Sequence, residues 1–152
     1  MRWGNPAYLL ALGFGSGLAP KGPGTVASAI AGVVFWLVLA PAPLLGQCVV
    51  VVVGFGLGVI AISRVERDGG SHDHGAIVWD EFIGMWITLL AADPHLLEFV
   101  AGFALFRAFD IWKPWPVSWA DRRVGGGLGV MLDDVLAGIL AGTALLALKA
   151  AL

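Results

Sequence analysis

Asp80 and Glu81 are adjacent carboxylates inside an apolar run, Gly75-Ala76-Ile77-Val78-Trp79-Asp80-Glu81-Phe82-Ile83-Gly84, that continues to Ala92. A charge at the centre of a membrane helix costs roughly 2.5 to 3.5 kcal/mol on insertion scales, and an unpaired buried carboxylate tends to protonate instead. Basic side chains or a divalent cation must therefore compensate the pair. The chain offers both, because a second acidic pair, Asp133-Asp134, opens the last hydrophobic segment and a basic stretch from Arg107 to Arg123 leads up to it. Two acidic pairs with hydroxyls and backbone carbonyls make an oxygen-rich site. Hard cations such as Mg²⁺ prefer such sites, keeping some waters and binding through carboxylates plus a substrate phosphate. Arginine and lysine nearby would hold the phosphate oxygens. Together these groups support phosphoryl chemistry, in which metal ions polarise the phosphorus oxygens and activate water for in-line attack. The plainer account is that acids and bases pair as interfacial anchors. Function is preferred for Asp80-Glu81 and Asp133-Asp134, since intramembrane ionisable residues are functional by default. Glu66, Arg64, Arg67, Asp93 and Glu98 read instead as solvated loop charges.

Composition defines what must position these groups. With 152 residues, 59% hydrophobic and 13% charged, and a mean hydropathy of +0.87, the chain is too apolar for an ordinary soluble domain and reads as one compact integral membrane domain over residues 1–152. A net charge of -2 with no basic face argues against a nucleic-acid partner. The lone Cys48, among valines and leucines, excludes a disulfide framework and a cysteine nucleophile and reads as a small core hydrophobe. The apolar start from Ala7 to Phe14 is too short for a cleavable signal, so the N-terminus is expected to be retained.

In chain order, Gly13 to Thr25 is a glycine- and proline-rich loop feeding a helix that Thr25 or Ser28 could cap, leaving N–H groups that suit a phosphate. Val26–Ala40 and Leu44–Ile62 are uncharged apolar segments separated by Pro41-Ala42-Pro43, and Gly54 and Gly58 in the second are spaced for close helix contact. The polar stretch Ser63–Gly75 follows, then a third segment, Ala76–Ala92, the turn Asp93-Pro94-His95, and a fourth segment, Leu96–Phe109. Arg107 and Asp110 lie three apart, on one helix face. Ile111–Leu132, with its tryptophans, prolines, basic residues and glycine run, is expected as a loop on the bilayer surface. Met131–Leu152 is the last segment, with Gly138 and Gly142 spaced for close contact. The fold class is thus all-α, a polytopic membrane bundle of about five hydrophobic segments.

About five crossings from a cytoplasmic N-terminus put Arg2, Lys21, Arg64, Arg67, Arg107, Lys113, Arg122 and Arg123 on one side and leave Lys149 near the other. This arrangement also brings the glycine-rich loop, Asp80-Glu81, Asp110-Lys113, Arg122-Arg123 and Asp133-Asp134 to the cytoplasmic face. His72-Asp73-His74 could ligate a metal or donate a proton, but with only His95 elsewhere a histidine-rich zinc site is not expected. His74 is a candidate substrate contact that donates to the leaving group.

The ordered motifs GFGSGL, P-x-x-PGT, DHGAIVWDEFIGMW, LFRAFDIWKPWP, DRRVGGGLGVMLDD and AG, from about Asn5 to about Gly142, closely resemble the phosphatidylglycerophosphatase A family. The resemblance implies a bacterial inner-membrane, multi-pass, Mg²⁺-dependent lipid phosphatase that hydrolyses phosphatidylglycerophosphate to phosphatidylglycerol and phosphate. On matching positions it implies acidic motif residues Asp80, Glu81, Asp110, Asp133 and Asp134, basic ones Arg107, Lys113, Arg122 and Arg123, and the glycine-rich positions Gly15, Ser16, Pro23, Gly24 and Thr25. Ala27 departs from the glycine often found there.

In the resulting reading, Asp80, Glu81, Asp133 and Asp134 hold one or two Mg²⁺, and Asp110 supports a metal or orients Lys113. Arg107, Lys113 and Arg122 or Arg123 grip phosphates, with Ser16 and Thr25 as further substrate contacts. Metal-activated water is placed ahead of an aspartyl-phosphate on Asp134 or Asp80. A small ion transporter would spread its acids through the membrane depth, whereas these cluster towards one face. A non-catalytic scaffold packing through its glycines would have no use for two acidic pairs. A phosphotransferase of CDP-alcohol type would carry a spaced Asp-Gly-Ala-Arg signature, which is absent.

Overall fold

The computed structural model describes residues 5–68 and 75–151, and every regular element among them is helical. Asn5 caps α1 (Pro6–Ala11), its Oδ1 accepting from the Ala7 N–H at 3.0 Å, with Pro6 preset for the first turn. A tight 3₁₀ turn, Gly13–Leu18, follows, kinked where Gly13, Phe14 and Gly15 take positive φ. α2 (Pro23–Val34) continues as a π turn, Phe35–Leu39. α3 (Leu44–Arg67), α4 (Trp79–Leu89), α5 (Leu96–Trp112), α6 (Val117–Arg123) and α7 (Gly126–Ala151) complete the chain.

α4 is the axis of the bundle. Trp79, Phe82, Ile83, Met85, Trp86 and Leu89 are all buried on it, and α7, α2, α5 and α3 surround it. Two indoles anchor it to its neighbours: the Trp79 N–H donates to the Gly54 carbonyl of α3 and the Trp86 N–H to the Ala31 carbonyl of α2, each at 2.9 Å. On the α7 side a Cβ on Gly138 would stand 2.5 Å from the Gly84 carbonyl, so the two backbones touch with no side chain between them. Thr88 closes this contact, its hydroxyl lying 3.0 Å from the Gly84 carbonyl and 3.3 Å from that of Gly138. At the end away from Asp80, the Lys149 ammonium reaches Asp93 at 2.8 Å, Glu98 at 3.1 Å and the Ala91 carbonyl at 3.3 Å. This joins the tail of α7 to the α4–α5 turn.

The expectation of about five hydrophobic spans is corrected here. Among the described residues two helices, α3 and α7, are long and apolar enough to cross a membrane, and Pro23–Leu39 is a shorter apolar helix. The third segment, Ala76–Ala92, is an α-helix only over Trp79–Leu89, and most of the apolar side chains of that helix are buried against protein. The outward surface of the others is apolar, with Val33 and Leu37 on α2, Val52 and Ile60 on α3, Leu97 on α5 and Leu146 on α7 exposed.

Other boundaries also move. α2 starts at Pro23 behind Gly22 in the left-handed region, so neither Thr25 nor Ser28 caps it, and the Ser28 hydroxyl donates to the Gly24 carbonyl at 2.7 Å. α3 runs through to Arg67, into the stretch read as polar loop. The surface loop Ile111–Leu132 contains α6, and α7 begins within its glycine run at Gly126. Within that run Gly127 serves contact: a Cβ on it would meet the Ser63 hydroxyl and the Val59 carbonyl of α3 at 2.5 and 2.6 Å.

Candidate active site

The first turn of α4 carries Asp80 and Glu81, and the Gly84–Gly138 contact holds α7 close enough to bring Asp134 beside them. One carboxylate oxygen from each of Asp80, Glu81 and Asp134 lies within 4.8 Å of the others. Asp80 Oδ1, Glu81 Oε2 and Asp134 Oδ2 are buried without a hydrogen-bond partner. Buried oxygens of this kind cost free energy unless something satisfies them. A hard cation fits: the donors are all carboxylate oxygens, they converge, and they have unused lone pairs.

Two basic groups flank this cluster. On one side Arg107 of α5 makes an ion pair with Asp110, one turn on, and its terminal nitrogen is 3.9 Å from Glu81 Oε1, while its Nε is buried and unpartnered. Gly24, in the first turn of α2, abuts the same place: a Cβ there would overlap the Glu81 carboxylate and come within 3.2 Å of the Arg107 guanidinium. On the other side Lys113, in the left-handed region just after α5, extends its ammonium between Asp133 of α7 and Asp121 of α6, 2.6 Å from each. Partial burial works against its charge, but the hydrogen bonds that it donates to the Asp121 and Asp133 carboxylates prevail and hold Lys113 above the usual lysine range. Asp133 also accepts from the Asp134 backbone N–H at 3.0 Å. Asp80, Lys113, Asp121 and Asp133, with Ile77 and Val124, line an open cleft of about 240 Å³.

The structure thus brings together Asp80, Glu81 and Asp134, with Asp133 and Lys113 on one flank and Arg107 and Asp110 on the other. Asp110 is the partner of Arg107, so the expectation that it orients Lys113 is replaced by orientation through Asp121 and Asp133. The Ser16 hydroxyl donates to the Gly13 carbonyl at 2.8 Å within its own turn, and Thr25 is exposed in the first turn of α2 beside Gly24. Arg122 and Arg123 face a different cleft, with Trp115, Ser118 and Trp119. His72, Asp73 and His74 lie outside the described residues.

Sequence reasoning missed the roles of Asp121 and Gly24 as close neighbours of the charged groups. Asp121 meets Lys113 through the turn of the chain between α5 and α6, which the prolines of that stretch keep from being read as one helix. The PGT motif marked Gly24 but gave no hint that Glu81 would lie against it.

The site can be set beside known proteins. The family model described as Phosphatidylglycerophosphatase A matches residues 9–149. A phosphatidylglycerophosphatase A of Escherichia coli K12 is 49% identical over 141 residues, covering 92% of this chain and 81% of that protein. One of Haemophilus influenzae is 45% identical over 141 residues, covering 90% and 85%. A Bacteroides thetaiotaomicron protein provisionally named a phosphatidylinositol-3-phosphatase is 40% identical over 138 residues, covering 86% of each chain. No solved structure matches. With nearly the whole sequence matched, from the glycine-rich turn to the last turns of α7, the chain belongs to the phosphatidylglycerophosphatase A family.

Proposed function

We propose that this protein hydrolyses the terminal phosphomonoester of phosphatidylglycerophosphate to give phosphatidylglycerol and inorganic phosphate, with Mg²⁺ held by Asp80, Glu81 and Asp134. The observation that carries the reading is the convergence of three carboxylates whose buried oxygens lack partners, in a chain of this family. Mg²⁺, when bound, would neutralise phosphate charge and lower the pKa of a coordinated water.

The chain's own groups account for the rest. The Arg107 Nε is a free donor for a phosphate oxygen. The Lys113 ammonium stays charged across the physiological range and opens onto the same cleft, where it can donate to the phosphate. In the overall step a P–O bond forms to the water oxygen and the ester P–O bond breaks. The released phosphate keeps one of the water's protons, and the other passes to the departing glycerol oxygen. A carboxylate that is not engaged by the cation can accept that proton on the way. Asp133, already bound to Lys113, positions the ammonium.

We place the cleft at the cytoplasmic surface of the bacterial inner membrane. The apolar outward faces of α2, α3, α5 and α7 would lie in lipid as a multi-pass bundle, and the acyl chains of the substrate would stay there while its headgroup enters.

The test is phosphate release from phosphatidylglycerophosphate in detergent by the purified protein and by Asp134→Asn, with Mg²⁺ and with EDTA. Release is expected with Mg²⁺ alone. The folded variant should fall by roughly 100-fold or more, since loss of metal-borne charge stabilisation is worth several kcal/mol. Phosphatidylinositol 3-phosphate in parallel reads headgroup range. Undiminished release in EDTA, or full activity in Asp134→Asn, would remove the metal role from this cluster.

A further inference from the structure

α6 has two working faces. Val117 and Ala120 are buried, and Asp121 looks into the acidic cleft. Ser118, Trp119 and Arg122, one to four apart on α6, form the opposite face, and with Arg123 and with Trp115, which precedes the helix, they line a second cleft of about 320 Å³. Arg122 is held on this face by an Nε–H donated to the Ser118 carbonyl at 3.1 Å, which leaves its terminal nitrogens without a hydrogen-bond partner among the described residues. Neither Arg122 nor Arg123 pairs with a carboxylate among the described residues. Arg64, Arg107, Lys113 and Lys149 all do. Arg67 likewise has a backbone partner only, its Nε–H donated to the Ser63 carbonyl, but Arg122 and Arg123 stand together on one cleft without a carboxylate partner among the described residues. Beside them Trp115 is 79% exposed and Trp119 50%, and the end of α5 that leads into this stretch carries Trp112 at 83% and Ile111 at 69%.

We propose that this outer face of α6 binds the phosphodiester headgroup of an anionic bilayer phospholipid, separately from the acidic cleft. Guanidinium groups match phosphate oxygens in pairs of hydrogen bonds. Indole rings settle at headgroup depth, where a lipid presents a phosphodiester above an apolar glycerol and chain. A free phosphate ion would use the arginines and leave the exposed tryptophan and isoleucine surface in water, so the surface fits a lipid better. An occupied outer face would also steady the helix whose inner face holds Asp121 against Lys113. The inference rests on the bilayer placement proposed above and does not depend on turnover.

The experiment uses the full chain in nanodiscs of phosphatidylcholine doped with dibrominated phosphatidylserine or, at the same mole fraction, dibrominated phosphatidylcholine. Bromine quenches nearby tryptophan. The anionic probe is expected to quench more strongly at low salt, with a preference reduced by up to roughly thirtyfold in Arg122→Gln/Arg123→Gln, as two interfacial arginines warrant, and retained in Asp80→Asn. A salt titration of the unmodified protein guards against a variant that fails to fold: the preference should decline as ionic strength rises. Equal quenching by both probes, a preference kept by the double variant, one lost in Asp80→Asn, or one indifferent to salt would each overturn the proposal. Absence of hydrolysis by the unmodified protein in Mg²⁺, with the preference intact, would instead count against the catalytic reading alone.

Discussion

Lys113 is the residue on which two elements depend, because its ammonium alone joins Asp133 of α7 to Asp121 of α6. Replacing it with alanine strands Asp133, whose side chain is 9% exposed. The expected cost is about 1–3 kcal/mol, below that of splitting a fully buried pair because the ammonium itself is partly solvated. Thermal unfolding of Lys113→Ala, Asp133→Asn and the double variant checks it: the double should lose little more than the worse single, and strictly additive losses would refute the coupling. The acidic pairs were legible in the sequence because a carboxylate in an apolar run has no cheap explanation, and Arg107 with Asp110 because helical spacing places them on one face. Asp121 was not, since its partnership is created by a turn of the chain. Arg122 and Arg123 were legible as basic residues but not as a group apart, for spacing does not say which side of α6 meets the acids.

At the scale of elements, spacing revealed which glycines pack and not what they pack against. Gly54 and Gly58 were read as a helix-contact pair, and their neighbours are Ile83, Trp79 and Met131, side chains of the helix next to each. Gly138 meets Gly84, which no repeat linked to it. A Cβ on Gly58 would come within 2.6 Å of the Trp79 ring and 2.7 Å of the Met131 sulfur, so Gly58→Ala should destabilise by about 1–3 kcal/mol and lower activity by shifting Trp79, the neighbour of Asp80. Gly56, two residues away, has nothing within 4 Å of such a Cβ, and Gly56→Ala should be neutral or stabilising by up to about 1 kcal/mol. Paired melting curves in detergent test this, and equal shifts would mean that α3 does not present Gly58 to α4. The brevity of α4 was illegible for a related reason. Hydropathy shows that Ala76–Ala92 avoids water, and cannot show that protein, not lipid, covers it.

For the whole molecule, polarity between the two ends is the organising fact. Gly24, Asp80, Glu81, Arg107, Lys113 and Asp134 meet at one end, and Lys149 meets Asp93 at the other. In the orientation proposed, Pro41 faces outward from the cell and Gly125 faces the cytoplasm. With Cys48→Ser as background, a membrane-impermeant maleimide on intact cells should label Pro41→Cys, and should reach Gly125→Cys only after permeabilisation. The opposite pattern would invert the assignment. That orientation exposes the Lys149 contact with the α4–α5 turn to a compartment whose acidity follows the surroundings. The hydrogen bond from Lys149 holds the Asp93 carboxyl below its usual range. A lowered native value means that the contribution is complete above the ordinary aspartate value and vanishes only as pH falls through the lowered one. In the proposed orientation, acidification of the medium to about pH 5 should therefore leave the Lys149–Asp93 contact formed at the outer rim of the bundle.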